Sequence, residues 1–277
     1  MGFTPEERAR CRIVGTPIGN LGDMTARAAE ALREADIIFA EDTRNTKALL
    51  HHLNISKHLK AYHKDNEQEA AEAALAALQA GSRIALVSDA GMPGISDPGY
   101  LLVKALLDQG IPFEIVPGVS AATHAAVASG LCASGQYLFY GFLPHKGAER
   151  ALQSVLTSRH PVIFYESPHR IKDTISLLLR SFPPPVAVCR ELTKLHEEVL
   201  LINDEAELAK LTVKGEFCLV VQPNTAPEAT EGKAELAFEE IAKLLAAEKL
   251  PTKTISNVLK GMGMKRNEAY ELAQRAR

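Results

Sequence analysis

At 277 residues, 46 % hydrophobic and 23 % charged, the chain is long enough for two domains with their own cores, and its composition excludes a disordered protein. A net charge of −3 excludes nucleic-acid binding through bulk basicity, so contact with RNA requires a local basic surface that the average hides. Cys11, Cys132, Cys189 and Cys218 form no C-x-x-C pair and read as reduced, mostly buried thiols. Because Met1 to Arg12 lacks a signal-peptide core and no run reaches membrane-spanning length, a cytoplasmic protein with no membrane partner is expected.

In chain order, Cys11 to Val14 reads as a strand, followed by the loop Gly15 to Asp23 and a helix from about Thr25 to Glu34. Asp36 to Ala40 is a second strand, with Glu41-Asp42-Thr43-Arg44 at its carboxyl end, before a helix carrying Lys47 to His52. An alanine-rich helix, Glu67 to Ala80, is closed by Gly81. Arg83 to Ser88 is a buried strand whose exit, Asp89 to Gly99, is too long and too rich in glycine and proline for a mere connector. Asp97-Pro98 supplies a capping carboxylate and a first-turn proline, so the next helix is expected to start near Gly99. The helix Tyr100 to Asp108 and the strand Phe113 to Val116 lead to Pro117-Gly118-Val119-Ser120, where Ser120 caps a helix of small residues. Strands alternating with helices call for a mostly parallel sheet, on which the loops after Gly15, Ser88 and Pro117 gather at one edge as a candidate pocket.

A second unit is expected from about Tyr137. Tyr137 to Phe142 and Pro161 to Glu166 read as strands, Ser167-Pro168 caps a helix to about Arg180, and Pro183-Pro184-Pro185 ends it. Val186 to Arg190 and Gly215 to Val221 are further buried strands, with a polar excursion starting at Glu191-Leu192-Thr193-Lys194. Gln222 to Gly232 has linker composition, and Lys233 to Arg277 is helical in pattern, with Leu236, Ile241, Leu244 and Leu245 placed on one face. Thr252 to Lys260 and Arg266 to Arg277, separated by Gly261-Met262-Gly263, resemble a helix-turn-helix. The bases Lys253, Lys260, Lys265, Arg266, Arg275 and Arg277 suit phosphate contact there, the plainer alternative being a helical cap with solvated lysines. The domain boundaries read from this pattern are 11–135, 136–222, a linker at 223–232 and a tail at 233–277.

Several chemistries are set aside. The Gly15 loop lacks Gly-Lys-Ser/Thr and misses G-x-G-x-x-G, the nine histidines show no metal-ligand spacing, so no metal is expected, and no serine sits in a G-x-S-x-G elbow. A pocket of backbone, small side chains and carboxylates suits a cofactor that carries its own reactive group, such as the sulfonium methyl donor S-adenosylmethionine.

The motifs Gly15-Thr16-Pro17-Ile18-Gly19-Asn20-Leu21, Ala40-Glu41-Asp42-Thr43-Arg44, Ser88 to Gly99, Gly141-Phe142-Leu143-Pro144, Phe164 to Arg170 and Arg190-Glu191-Leu192-Thr193-Lys194 occur in that order. From about Arg12 to Gln222 they resemble the ribosomal RNA small-subunit methyltransferase I branch of the tetrapyrrole-methylase superfamily, and the tail is similar to that branch's C-terminal domain. The resemblance implies an α/β fold, with two α/β domains of tetrapyrrole-methylase type, a cofactor cleft between them and a small C-terminal helical domain. It implies S-adenosylmethionine-dependent methylation of a cytidine ribose 2′-hydroxyl in the decoding region of small-subunit (16S) ribosomal RNA, by a homodimer. Carried over by position, it implies that Asp89, Ala90, Gly91, Pro93, Ile95, Ser96, Asp97, Ser120 and Ala121 hold the donor, that Pro17 lines the same edge, and that Tyr165, Leu192 and Glu216 close over it. Met92 stands where the family pattern has threonine, Val119 where it has proline, and the stretch after Glu197-Glu198 lacks the pattern's glycine.

A ribose hydroxyl is a poor nucleophile until its proton is leaving, so a base or orienting group is needed. Glu41, Asp42, Glu166, Glu191 and Lys194 are the polar groups at the right strand ends, and Glu41, Glu191 and Lys194 are the expected catalytic set. Lysine serves as a base only if burial or neighbouring cations lower its pKa; the structural alternative for each group is a helix cap or an ion pair. Arg44, His169, Arg170, Arg190 and Lys194 are expected to form a basic rim for RNA phosphates, joined by Lys253, Lys260, Lys265 and Arg266 of the tail. Two rival functions stay open: methylation of a small tetrapyrrole or cobalamin precursor, and a non-catalytic RNA-binding assembly module.

Overall fold

The computed structural model describes residues 4, 6, 10–224, 231–248 and 250–276; most of Met1 to Arg12 and of the linker expected at 223–232, the side chain of Leu236, and Arg277 lie outside the described residues. Residues 1–224 form one compact unit and residues 225–277 another.

The first unit runs β1 (Cys11–Val14), α1 (Ala26–Glu34), β2 (Ile37–Ala40), α2 (Thr43–His52), β3 (His58–Ala61), α3 (Glu67–Gln79), β4 (Ile84–Val87), α4 (Tyr100–Asp108), β5 (Glu114–Val116) and α5 (Ala121–Ala128). It continues through β6 (Leu138–Phe142), α6 (Ala148–Leu152), β7 (Val162–Glu166), α7 (Ile171–Ser181), β8 (Val186–Arg190), β9 (Glu198–Ile202), α8 (Glu205–Ala209) and β10 (Phe217–Val221). Side-chain caps begin three of the early helices: Thr25 accepts from Ala28 N, Asp42 from Arg44 N and Ser120 from Thr123 N.

The first sheet has the order β3-β2-β4-β1-β5 and is parallel throughout. Leu75, Leu78, Leu102 and Leu106 cover one face over Ile13, Phe39 and Leu86, while Ala28, Leu32 and Leu50 cover the other over Val14, Ile38 and Val87. Each fully buried Leu or Ile contributes about 1.5–3 kcal/mol over leaving it exposed. Because the strands all run one way, the segments leaving β1, β2, β4 and β5 emerge at one edge.

The second sheet has the order β6-β7-β10-β8-β9; β6 and β7 are parallel and the other pairs antiparallel. Ile171, Ile175 and Leu178 of α7 cover one face. The other is covered by α5, whose Ala122, Ala125 and Ala126 pack against Ile163, Cys189 and Val220. Thus α5 follows the first sheet in sequence yet seats on the second, and its alanines let the helix backbone approach the strands closely.

Several local expectations are corrected. Helix α4 is capped by Gly99 rather than Asp97: Glu67 Oε1 reaches across from α3 to accept from Gly99 N at 2.8 Å and Leu101 N at 3.1 Å. Helix α7 starts at Ile171, because Ser167 to Arg170 close a turn in which Arg170 N bonds Ser167 O. Strands β3 and β9 escape pattern reading: both are short edge strands, β3 in a polar stretch and β9 an apolar run that directly follows the polar excursion begun at Glu191.

The second unit comprises α9 (Glu231–Ala247), α10 (Thr252–Gly261) and α11 (Arg266–Arg275). Ala242, Ile255, Leu259, Ala269, Leu272 and Ala273 form its core, with Ile241 and Leu245 packed against them. Leu244 does not share that face and is 68 % exposed. Among the described residues no helix is long and apolar enough to cross a membrane.

Candidate functional site

The loop after β4 is pinned to the loop after β1 by a two-bond bridge: Thr16 N donates to Gly91 O at 2.8 Å and Gly91 N to Thr16 O at 3.1 Å. Gly91 takes φ +77°, a conformation that disfavours any side chain. The loops after β1 and β5 meet glycine to glycine: a Cβ on Gly15 would stand 2.6 Å from Gly118 N, and one on Gly118 2.8 Å from Gly15 Cα. Met92 fills the same space, its Sδ 2.6 Å from that imagined Gly15 Cβ.

Asp89 ties β4 to the end of β2. Its Oδ1 accepts from Asp42 N at 3.0 Å and its Oδ2 from Asn45 Nδ2 at 2.9 Å, while Asp89 N donates to Glu41 Oε2 at 3.3 Å. This exchange fixes Glu41 and Asp89 in the lining of a cavity of about 430 Å³ formed by residues from both sheet regions, a size in the range of small-molecule sites. Of the expected donor residues, Asp89, Ala90, Gly91, Ile95, Ser96, Asp97, Ser120, Ala121, Tyr165, Leu192 and Glu216 line it, and so does Glu41. Pro93 is buried within the loop and is not among the lining residues, and Pro17 lines a neighbouring cavity of about 440 Å³. The two cavities share Ile18, Asp89, Ala90 and Glu216. Sequence reading did not assign Ile18, Phe142, Cys189, Phe217 or Cys218 to the lining. Of these Phe142 is the most legible, because it ends β6 within the motif Gly141-Phe142-Leu143-Pro144.

Tyr165 stands between Phe139 and Phe142, with ring centroids 4.8 and 5.6 Å away, and makes an aromatic wall suited to a planar heterocycle. Burial raises its phenol pKa, so the ring stays neutral. Burial also pushes the Cys189 thiol up to about 12 and raises that of Cys218, which removes both as nucleophiles at neutral pH. Asp97, released from capping, has its carboxyl pushed up to about 7, first by burial and then by the charge of Glu41, against the pull of Lys64. With Glu41, Asp89 and Glu216 it makes the lining acidic, and no lysine or arginine is among the described lining residues. Such a wall favours a cationic ligand.

The neighbouring cavity holds Lys194. Its Nζ donates to Glu191 Oε1 at 2.9 Å and Glu216 Oε2 at 3.0 Å. Burial pulls its pKa down, but these two carboxylates outweigh burial and the pKa is raised. The lowered pKa that a lysine base requires is therefore not found, and Lys194 is a permanent cation at neutral pH. Burial works to raise Glu191, yet Lys194 and the N–H of Glu216 hold it below the usual carboxylate range.

The basic rim is uneven. Arg44 is 88 % exposed and paired to Asp42, and His169 is exposed. Arg170 bonds Glu166 and Leu143 O, while Arg190 bonds Glu198 and Lys214 O, so both guanidinium groups serve internal partners. Glu166 is correspondingly structural: its side chain is 0 % exposed and also accepts from Thr174 Oγ1 at 2.7 Å. In the second unit Lys253, Lys260 and Arg266 line one cleft, whereas Lys265 lies 3.8 Å from Glu268 and outside that lining. Among the described residues no group of three or more His, Cys, Asp and Glu side chains could hold a metal ion.

A family model for tetrapyrrole (corrin/porphyrin) methylases matches residues 10–209. A protein named ribosomal RNA small subunit methyltransferase I from Halalkalibacterium halodurans is 40 % identical over 276 residues, covering 96 % of this chain and 95 % of that one. One of the same name from Synechocystis is 40 % identical over 268 residues, with 94 % and 96 % covered. Among solved structures, the Thermus thermophilus uroporphyrin-III-C-methyltransferase superposes with a TM-score of 0.57 at 22 % identity, over 76 % of this chain and 93 % of that one. Cobalt precorrin-4 methyltransferase gives 0.59 at 18 % identity over 79 % and 98 %; these two support the fold alone. The chain belongs to the tetrapyrrole methylase family, in its branch of ribosomal RNA small subunit methyltransferases I.

Proposed function

We propose that the protein transfers the methyl group of S-adenosylmethionine to the ribose 2′-hydroxyl of a cytidine in the decoding region of 16S ribosomal RNA, within the small ribosomal subunit, as a cytoplasmic homodimer. The observation that carries the reading is the pair of adjoining cavities. One is acidic, glycine-built and walled by Tyr165, and shares Ile18, Asp89, Ala90 and Glu216 with a second that Lys194 lines.

When bound in the first cavity, S-adenosylmethionine supplies a methyl already activated by its sulfonium sulfur. Glu41, Asp89 and Asp97 complement that charge, Gly91, Ser120 and Ala121 let the donor approach backbone, and Tyr165 and Leu192 cover the heterocycle. Glu41, held by Asp89 N, is the carboxylate proposed to take the hydroxyl proton as the new C–O bond forms. Glu191 fixes Lys194, and Lys194 orients the acceptor by donating to its ribose or phosphate oxygens. Arg44 and His169 offer exposed positive or polar rim contacts. Methyl, proton and charge would balance, since Glu41 would hold the hydroxyl proton and the donor would be left as a neutral thioether.

The test is transfer of labelled methyl to small subunits lacking the modification, with mapping of alkali-resistant ribose positions. One 2′-O-methylated cytidine in the decoding region supports the reading. Donor binding without transfer to RNA points instead to a small-molecule acceptor, and no donor binding to a non-catalytic module.

A further inference from the structure

We propose that the cleft between α10 and α11 holds unpaired nucleotides of an RNA strand, one base stacking on Tyr270 and the flanking phosphates resting against Lys253, Lys260 and Arg266. The proposal deepens the RNA reading above and rests on it. Residues 253, 256, 257 and 260 recur at helical spacing on a face of α10 that adjoins the buried Ile255 and Leu259, with Ser256 buried at the floor and Lys253, Asn257 and Lys260 exposed, and residues 266, 267, 270 and 271 do so on α11. Together they enclose about 520 Å³.

Three observations point to nucleic acid. Three cations face Glu271 alone in this cleft, although the chain as a whole carries a net charge of −3. Tyr270 is 49 % exposed among them and takes no part in the core, which Ala269, Leu272 and Ala273 complete from the same helix. An aromatic ring beside cations is the arrangement on which bases stack. The amides of Asn257 and Asn267 add hydrogen-bonding groups for a base edge; Asn257 Oδ1 accepts from Lys260 Nζ at 3.3 Å, which leaves its amide nitrogen to donate. The concave shape selects the strand type. A cleft between two helices admits a splayed nucleotide, whereas the deep, narrow major groove of an RNA duplex offers no entry to such a surface.

The test uses the full chain and a fluorescent single-stranded oligoribonucleotide, with anisotropy read across a salt series and donor affinity measured in parallel. Tyr270→Ala is expected to weaken binding by about five- to a hundredfold, with Tyr270→Phe retaining it. Combined Lys253→Ala, Lys260→Ala and Arg266→Ala should flatten the slope of log affinity against log salt by about 2. Donor affinity should stay as in the parent, which separates failure of this cleft from failure of the methyltransferase reading. An unchanged salt slope, an unchanged affinity in Tyr270→Ala, or a duplex bound equally well with the same dependence on Tyr270 would overturn the proposal. Displacement of the oligonucleotide by polyglutamate at equal charge concentration would overturn it in favour of an acidic protein partner.

Discussion

Asp97→Asn tests whether the acidic wall is built for a cation at the expense of the empty fold. In the folded protein the Asp97 carboxyl keeps its proton up to about pH 7, against an ordinary value of 3.8. The folded state therefore binds an extra proton between those limits. A raised carboxyl contributes stability that is fully present below the unfolded value and is lost as pH rises through the folded one. Taken in full the difference corresponds to about 4 kcal/mol, and because the side chain is only part-buried, solvent screening reduces it to about 1–2 kcal/mol. Asparagine carries no charge to desolvate and faces Glu41 and Asp89 without repulsion. The variant should match the parent near pH 4 and exceed it by about 1–2 kcal/mol near pH 8, a rise in Tm of about 2–8 °C by scanning calorimetry. The comparison with the parent removes the opposing contribution of Asp42, held at about 2 by Arg44. Donor affinity should move the other way: reduced near pH 8, where the parent offers an anion to the sulfonium, and equal near pH 5, where it does not. A stability gain that does not grow with pH, or a donor defect of equal size at both pH values, would refute the reasoning.

Gly118→Ala should weaken donor binding and lower Tm, because the added Cβ meets the backbone of Gly15, which has no side chain to swing away; calorimetric titration with the donor measures it. Gly19→Ala puts a Cβ 2.7 Å from Lys194 Cε and closer still to Cγ, so it should displace Lys194 and slow turnover by about a hundredfold while leaving donor affinity near that of the parent. Equal turnover would show that the position of Lys194 does not matter. Glu166→Ala should destabilise the fold by about 3–5 kcal/mol in urea denaturation, because Arg170 is left without its buried partner; a change below about 1 kcal/mol would mean that water replaces the carboxylate.

The loop that lines the cavity proposed for the donor is legible in the sequence because glycine and proline restrict backbone before any tertiary contact forms. Gly91, Pro93, Gly94, Pro98 and Gly99 mark a stiff loop, and a parallel sheet carries it to the same edge as Gly15 and Gly118. What the pattern missed are pairings made across the chain. Asp97 looks like a cap because capping is local in sequence, but Glu67, 32 residues upstream of Gly99, performs it and frees Asp97 for the cavity. Arg170 and Arg190 look like phosphate ligands until their partners Glu166 and Glu198 are seen within hydrogen-bond reach. Helix α5 carries almost no amphipathic signal, so its seat on the second sheet was hidden although its cap was plain.

The geometry of the cavity proposed for the acceptor follows from the chain direction after β8. Glu191 and Thr193 take φ of +51° and +68°, a region that costs side chains of this kind about 1–3 kcal/mol each. Contacts on both sides hold the turn in place: Glu191 N bonds Glu216 O, Glu216 N bonds Glu191 Oε1, and Gly215 leaves open the space where a Cβ would stand 2.6 Å from the Glu191 carboxyl carbon. This reversal brings Glu191 and Glu216, one from each flanking strand end, onto a single ammonium. Lys194 then spans from the end of the second sheet across Gly19 of the loop after β1, so the group facing the cavity proposed for the acceptor also links the two sheet regions. A site made this way couples the closeness of the sheets to the placement of the cation. Alanine at Gly215, which φ +102° also disfavours, should therefore impair both, lowering Tm and turnover together, whereas Lys194→Met should lower turnover with a smaller loss of Tm because its stem still packs over Gly19.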